Sequence, residues 1–171
     1  MHAKDSYCSY CGRGYQADQV WPRLCAGCGN WTYRNPLPVA VVLVPVDAGL
    51  LVVRRGIEPQ LGKWAFPGGY VDIGETWQEA GAREVFEESA LRIAASEIQT
   101  FGVHSVVELG LLIVLGLAGP RRAAELPPFV PTSETTERAV LCAPREMAFP
   151  LHTEAMAEFF ARQNTGHKPR A

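Results

Sequence analysis

Gly69–Leu91 reads GYVDIGETWQEAGAREVFEESAL, and its spacing decides how the rest of the chain is read. Gly69 is followed by Glu75, then Arg83-Glu84, apolar Val85 and the pair Glu87-Glu88, in the pattern G-x5-E-x7-R-E-U-x-E-E with U apolar. Trp77, Gly81 and Val85 recur at i, i+4 and i+8, which predicts a helix that buries this face and turns its acidic face outward. Thr76 is the expected N-cap, and Glu79 three residues later completes a capping box. Glu84, Glu87 and Glu88 stand at i, i+3 and i+4, so their side chains share one face within about 5–6 Å. Carboxylates that close repel unless a cation sits among them. Hard oxygen ligands at this density suit Mg2+ or Mn2+, which in turn bind phosphates. REVFEES alone reads as a solvated helix face. The added glycine, fourth glutamate and arginine at fixed positions point instead to metal-assisted diphosphate hydrolysis.

A second constellation lies near the N-terminus. Cys8-x2-Cys11 and Cys25-x2-Cys28 are separated by thirteen residues, and Gly12, Gly27 and Gly29 lie in or beside the pairs. Two disulfides or a redox pair would use the same residues. A chain without an export signal seldom keeps disulfides, and a redox pair needs no second copy. The spacing therefore predicts a closed four-cysteine structural Zn2+ site with no open position for catalysis. Cys142 is left over and reads as a small buried apolar residue.

Of the 171 residues, 47% are apolar and 20% charged, and the net charge is −2. That describes a globular protein able to bury a core, with no basic field for nucleic acid and no polybasic membrane anchor. MHAKDSYCSYCG has no apolar core of a signal peptide, and the apolar run near Gly110–Gly119 is about half a membrane span. A cytoplasmic location is expected, with a small nucleotide as partner, neither nucleic acid nor membrane, and a homodimer left open.

The chain divides into an expected zinc ribbon (1–34), a proline-stiffened linker (35–38), a catalytic domain (39–162) and a flexible tail (163–171). Val39–Val46 and Leu50–Arg55 read as two strands of a hairpin around Asp47-Ala48-Gly49. Gly56–Tyr70 reads as a loop with a short extended piece. Ile98–Val107, Leu109–Leu117 and Arg138–Cys142 are further strands. A last helix opens at Pro150, with Ala155, Met156, Phe159 and Phe160 as its apolar stripe. His104 and His152 read as structural or surface residues.

CSYCGRGY, CAGCG, YRNPLPV, RRGIEPQLGKWAFPGG, the glutamate-rich segment and AFPLHTEAMAEFF together resemble Nudix hydrolases that carry an N-terminal zinc ribbon. The resemblance implies an α/β Nudix fold, a mixed β-sheet between helices, and hydrolysis of a nucleoside diphosphate linked to another moiety. It makes Glu84, Glu87 and Glu88 the ligands of catalytic Mg2+ or Mn2+, joined by the Gly68 carbonyl. It makes Glu75 and Arg83 an ion pair that, with Gly69, shapes the site. A glutamate outside the segment often serves as base in such enzymes, and Glu134, then Glu137, are the candidates.

Arg54, Arg55 and Lys63 are candidate phosphate contacts, and one of the two arginines faces solvent because neighbours in a strand point to opposite faces. Trp64, Phe66 and Tyr70 offer rings for a base to stack on. The segment departs from the family pattern at its end, where Ala90 stands in place of glycine. The SQPWPFPxS motif of NADH pyrophosphatases and the downstream proline of many ADP-ribose hydrolases are absent. FAD and ADP-ribose are the substrates the resemblance favours. The alternative is a ligand-sensing module that binds without hydrolysing.

Overall fold

The protein is described here by a computed structural model over residues 4–164. The chain forms two compact units that divide at Pro36/Leu37. In the first, β1 (Arg23–Leu24) pairs antiparallel with β2 (Trp31–Thr32). The two cysteine knuckles repeat one hydrogen-bond pattern. Cys8 N donates to the Arg13 carbonyl and Gly12 N to the Cys8 carbonyl; Cys25 N donates to Asn30 and Gly29 N to Cys25. The turn requires positive φ at its fifth residue, met by Gly12 (φ 74) and Gly29 (φ 72). Arg23 lies over the Trp21 and Tyr15 rings.

The second unit opens with β3 (Leu37–Leu43), β4 (Pro45–Val46) and β5 (Gly49–Arg55), followed by β6 (Trp64–Ala65) and β7 (Gly68–Tyr70). Then come α1 (Trp77–Ser89), β8 (Gln99–Val106), β9 (Leu111–Leu117), β10 (Thr135–Leu141) and α2 (Pro150–Asn164). One sheet has the order β7-β3-β9-β8, with β3 and β9 parallel and the other pairs antiparallel. The other runs β10-β5-β4, with β6 on β5. This is the mixed-sheet architecture that the resemblance implies. Among the described residues no helix is long and apolar enough to cross a membrane.

The expected hairpin forms between β4 and β5, but the run Val39–Val46 is not one strand. It crosses from one sheet to the other at Val44, where Pro45 ends the first ladder. A continuous apolar run reads alike in either sheet, so its pattern does not mark the crossing. Leu37 and Pro38, expected as linker, already belong to β3. Pro38 has no N–H to give the ladder, but its carbonyl accepts from Val71 N. Gln163 and Asn164 complete α2, and the rest of the expected tail lies outside the described residues.

Alternation along β3 feeds two cores. Val41 and Leu43 pack with Met156, Phe159 and Phe160 of α2. Val42 and Val44 pack with Val85 of α1 and with Ile98. Gly81 permits this approach, since a Cβ there would lie 2.7 Å from Val42 Cγ2. β10 starts three residues earlier than expected and ends at Leu141, paired with Leu50. Cys142 has left the sheet and is exposed, contrary to the expectation of burial.

Thr76 and Glu79 form the capping box at the start of α1. At its end Ala90 takes φ 61 and donates to the Phe86 carbonyl. Left-handed alanine costs about 1 kcal/mol relative to glycine. Ala90→Gly is therefore expected to raise the unfolding free energy by about that amount without changing activity. Denaturant titration checks this, and an unchanged midpoint would mean that the strain is relieved elsewhere.

Candidate active site

β7 carries two consecutive glycines beneath the acidic face of α1. A Cβ on Gly69 would lie 2.3 Å from Glu84 Oε1, so the carboxylate occupies the space a side chain would need. Gly68 N donates to Glu88 Oε2 at 3.1 Å. The acidic face is thus not turned to solvent as the helical pattern predicted. The Glu84 side chain is 14% exposed, while that of Glu87 is 54% exposed. An amphipathic pattern places charges outward by default, and here a glycine strand makes room for them to fold inward.

Burial pushes the Glu84 carboxyl up, with Arg83 opposing and Glu87 and Glu134 adding. Burial also pushes Glu88 up, to about 8, against the Gly68 N–H and the charge of Arg55, with Glu84 and Glu134 reinforcing the shift. Two half-buried carboxylates that resist ionisation side by side form a hard-oxygen donor set that suits a divalent cation.

Arg83 ties this cluster to the loop before the helix. It grips Glu75 with Nη2 at 2.8 Å and Nε at 3.2 Å, and donates to the Tyr70 carbonyl at 3.0 Å. Its Nη1 donates to Glu84 at 2.6 Å and Glu87 at 3.2 Å. These bonds, that to Glu75 foremost, hold its pKa above the ordinary value. A fork with fixed geometry is required here, which lysine cannot supply.

The two candidate outer glutamates separate. Glu137 is bound to Arg54 Nε at 2.7 Å. The Glu134 backbone is pinned by Gly56 N to its carbonyl at 2.7 Å, and its neighbour Thr135 donates to the Glu88 carbonyl at 3.1 Å. Arg138 donates to the Ser89 carbonyl at 2.6 Å. β10 thereby satisfies carbonyls in the last turn of α1 and brings Glu134 close enough for its charge to act on both Glu84 and Glu88.

The basic candidates separate as well. Arg54 is occupied by Glu137, by the Gly62 carbonyl at 3.1 Å and by the Trp64 ring. Arg55 donates from Nε to the Pro59 carbonyl at 2.7 Å and lies over the Phe149 ring, and its charge acts on Glu88. Lys63 lines a cavity of ≈ 380 Å³ with Gln60, Glu146 and Glu154, and none of the clustered glutamates is in that wall. Of the candidate stacking rings, Phe66 is in the core and Tyr70 is exposed. Phe66 faces α2 beside His152, which removes it from any substrate surface. Thr135 contributes to the site without a signal in the spacing, and His152 is buried beside Phe66. His152 does stand in register with the apolar stripe of α2, which marks a buried position.

The four ribbon sulfurs all lie within 4.8 Å of one another. Cys8 and Cys28 are 3.7 Å apart, and Cys11 and Cys25 3.6 Å. Tetrahedral zinc with bonds of about 2.3 Å sets sulfurs about 3.8 Å apart, so the set fits Zn2+. A disulfide needs about 2.05 Å. Gly27 N and Asn30 Nδ2 point at Cys25 and Cys28, each at 3.4 Å.

Residues 36–163 match the NUDIX domain. The chain belongs to the Nudix family. Several curated relatives are named NAD-capped RNA hydrolase NudC. That from Edwardsiella ictaluri is 38% identical over 88 residues, covering 51% of this chain and 34% of the relative. That from Shigella flexneri is 34% identical over 99 residues, covering 54% and 36%. The chain thus spans about a third of the length of the curated relatives it matches. A solved Nudix hydrolase from Nitrosomonas europaea superimposes with a TM-score of 0.77 at 22% identity, over 94% of this chain and 93% of the other. A MutT protein from Methanosarcina mazei Go1 gives 0.59 at 21% identity, over 78% and 99%. At these identities the likeness is one of fold.

Proposed function

We propose that this Nudix domain hydrolyses the diphosphate bridge of a nucleoside diphosphate derivative, FAD or ADP-ribose in type, to two monophosphates. The observation that carries this reading is the gathering of Glu84 and Glu88 against the Gly68-Gly69 strand, within reach of the charge of Glu134 and with Arg83 fixing the geometry. Glu84, Glu87 and Glu88, with the Gly68 carbonyl, are the residues to hold Mg2+ or Mn2+. A divalent ion supplies neutralisation of the diphosphate and an acidified water. Glu134 stands exposed at the rim and is assigned the role of general base. Arg55 is assigned to grip a phosphate oxygen. Residues 39–162 carry the chemistry; the ribbon (1–34) is assigned a structural Zn2+ on Cys8, Cys11, Cys25 and Cys28. A cytoplasmic location goes with this reading.

The names of the NudC relatives extend the substrate class to a diphosphate bridge at the end of an RNA, which is the same bond with a larger leaving group. Incubating the full chain with Mg2+ and FAD, ADP-ribose, NADH, NAD-capped RNA or a nucleoside triphosphate, with products identified by mass, tests the reading. The expected outcome is the highest kcat/KM on a two-sided diphosphate, with two monophosphates released. Highest kcat/KM on a triphosphate with release of pyrophosphate overturns the substrate class. Tight binding without turnover of any compound would assign a sensor instead.

A further inference from the structure

We propose that His152 is a positioning residue of the acidic site, acting through the backbone of Phe66–Gly68; this rests on the function proposed above. His152 is buried in the first turns of α2, and its Nδ1 accepts from Phe66 N at 3.1 Å. The ring is fixed between Phe66 and Phe149, with centroids at 5.5 and 5.1 Å. Two residues after Phe66, Gly68 N donates to Glu88. Between them Pro67 has no N–H, and its carbonyl accepts from Val42 N at 2.9 Å. Just before them, the Trp64 carbonyl accepts from Ala148 N at 2.7 Å.

The segment Trp64–Gly68 is therefore held on one side by the α2 region and on the other by β3, and it presents one N–H to the most buried carboxylate of the cluster. Pro67 restricts the intervening backbone, so a displacement at Phe66 N carries to Gly68 N with little slack. Accepting through Nδ1 requires the neutral ring with its proton on Nε2. Burial, and then the charge of Arg55, depress the His152 pKa to about 4. The groups facing the ring include Arg55, the aromatic rings of Phe66 and Phe149, and the Phe66 peptide; the charge of the first and the N–H of the last both disfavour an imidazolium. The acceptor lone pair is thus present throughout the neutral range.

Asparagine places a carbonyl oxygen near the position of Nδ1, whereas leucine fills the volume without an acceptor. Full-length wild type, His152→Asn and His152→Leu are compared by the amide resonance of Gly68 in 15N-labelled protein and by Mn2+ affinity from the free-ion EPR signal. The expected result is a displaced, broadened Gly68 amide and roughly tenfold or more weaker Mn2+ binding in His152→Leu, the scale for losing support behind a metal ligand. His152→Asn is expected to restore both. If His152→Leu does not fold, His152→Gln, with its acceptor one bond further out, is expected to show the same loss.

A folded variant without the acceptor that keeps the wild-type Gly68 resonance overturns the proposal, as does a His152→Asn protein no better than His152→Leu. A purely structural role would lower the melting temperature in all variants without separating them by their acceptor. Wild type that binds no Mn2+ would instead sink the metal reading, and the Gly68 comparison would still decide the role of His152.

Discussion

Glu88→Gln is expected to cut kcat by roughly 10²–10⁴-fold, the scale for removing a positioned carboxylate from the reacting centre, while making the metal-free protein more stable. The two effects share one cause. In the folded chain burial raises the Glu88 pKa from 4.5 to about 8. Between those values the folded protein binds more protons than the unfolded one, so stability falls as pH rises through that window. At pH 7 the penalty is roughly 3 kcal/mol at most. Glutamine keeps an oxygen for the Gly68 N–H and removes the charge, so the metal-free variant is expected to melt roughly 5 °C higher at pH 7–8. At pH 4 the difference should vanish, because wild-type Glu88 is then protonated in both states.

Mg2+ should reverse the order. A cation bound only by the folded state adds RT ln(1 + [L]/Kd), so wild type gains melting temperature on addition of Mg2+ and Glu88→Gln does not. Calorimetric scans with chelator and with millimolar Mg2+, together with single-turnover rates, check both halves. Unchanged turnover in the variant at saturating Mg2+ would remove Glu88 from the ligand set, and an unaltered melting curve with chelator would show that its charge carries no folding cost.

What could be read from the sequence was what local spacing dictates. The Thr76–Glu79 capping box, the Asp47–Gly49 hairpin and the turn glycines of the two knuckles depend on residues a few positions apart, and all three form as their spacing demands. Ala90 in place of glycine was legible for the same reason. What could not be read depends on a partner far along the chain. The inward fold of Glu84 and Glu88 needs Gly68-Gly69, which a helical pattern does not contain. Glu134 and Glu137 are three residues apart in one acidic loop and strand; only the pairing of β10 with β5 gives one to Arg54 and the other to the cluster. Lys63 and Phe66 lie in the segment RRGIEPQLGKWAFPGG that helps carry the family resemblance, yet one lines a cavity whose wall holds none of the clustered glutamates and the other enters the core. The aromatic composition of that segment reports its burial as much as its use.

Cys25→Ser is expected to abolish zinc binding and unfold the ribbon. Its strands β1 and β2 are two residues each, and a unit this small cannot bury enough apolar surface to hold itself together. Four thiolates around one ion supply the missing free energy, with apparent values of roughly 10–16 kcal/mol in zinc peptides. Cys25 is buried and accepts from Gly27 N, so serine there removes a ligand at the interior of the site rather than at its rim. Wild type should carry about one zinc per chain by elemental analysis, as expected for a closed four-sulfur site, and the variant almost none. Fluorescence from the half-buried Trp21 should shift toward that of solvated indole, and a strong chelator should produce the same shift in wild type. Turnover by residues 39–162 should outlast the loss to the extent that the second unit holds its own two cores. Wild type without zinc, and with a mass four hydrogen atoms lower than that of the free thiols, would replace the metal with two disulfides. The sulfur positions would then have to move, since pairs now 3.6 and 3.7 Å apart are too distant to be bonded.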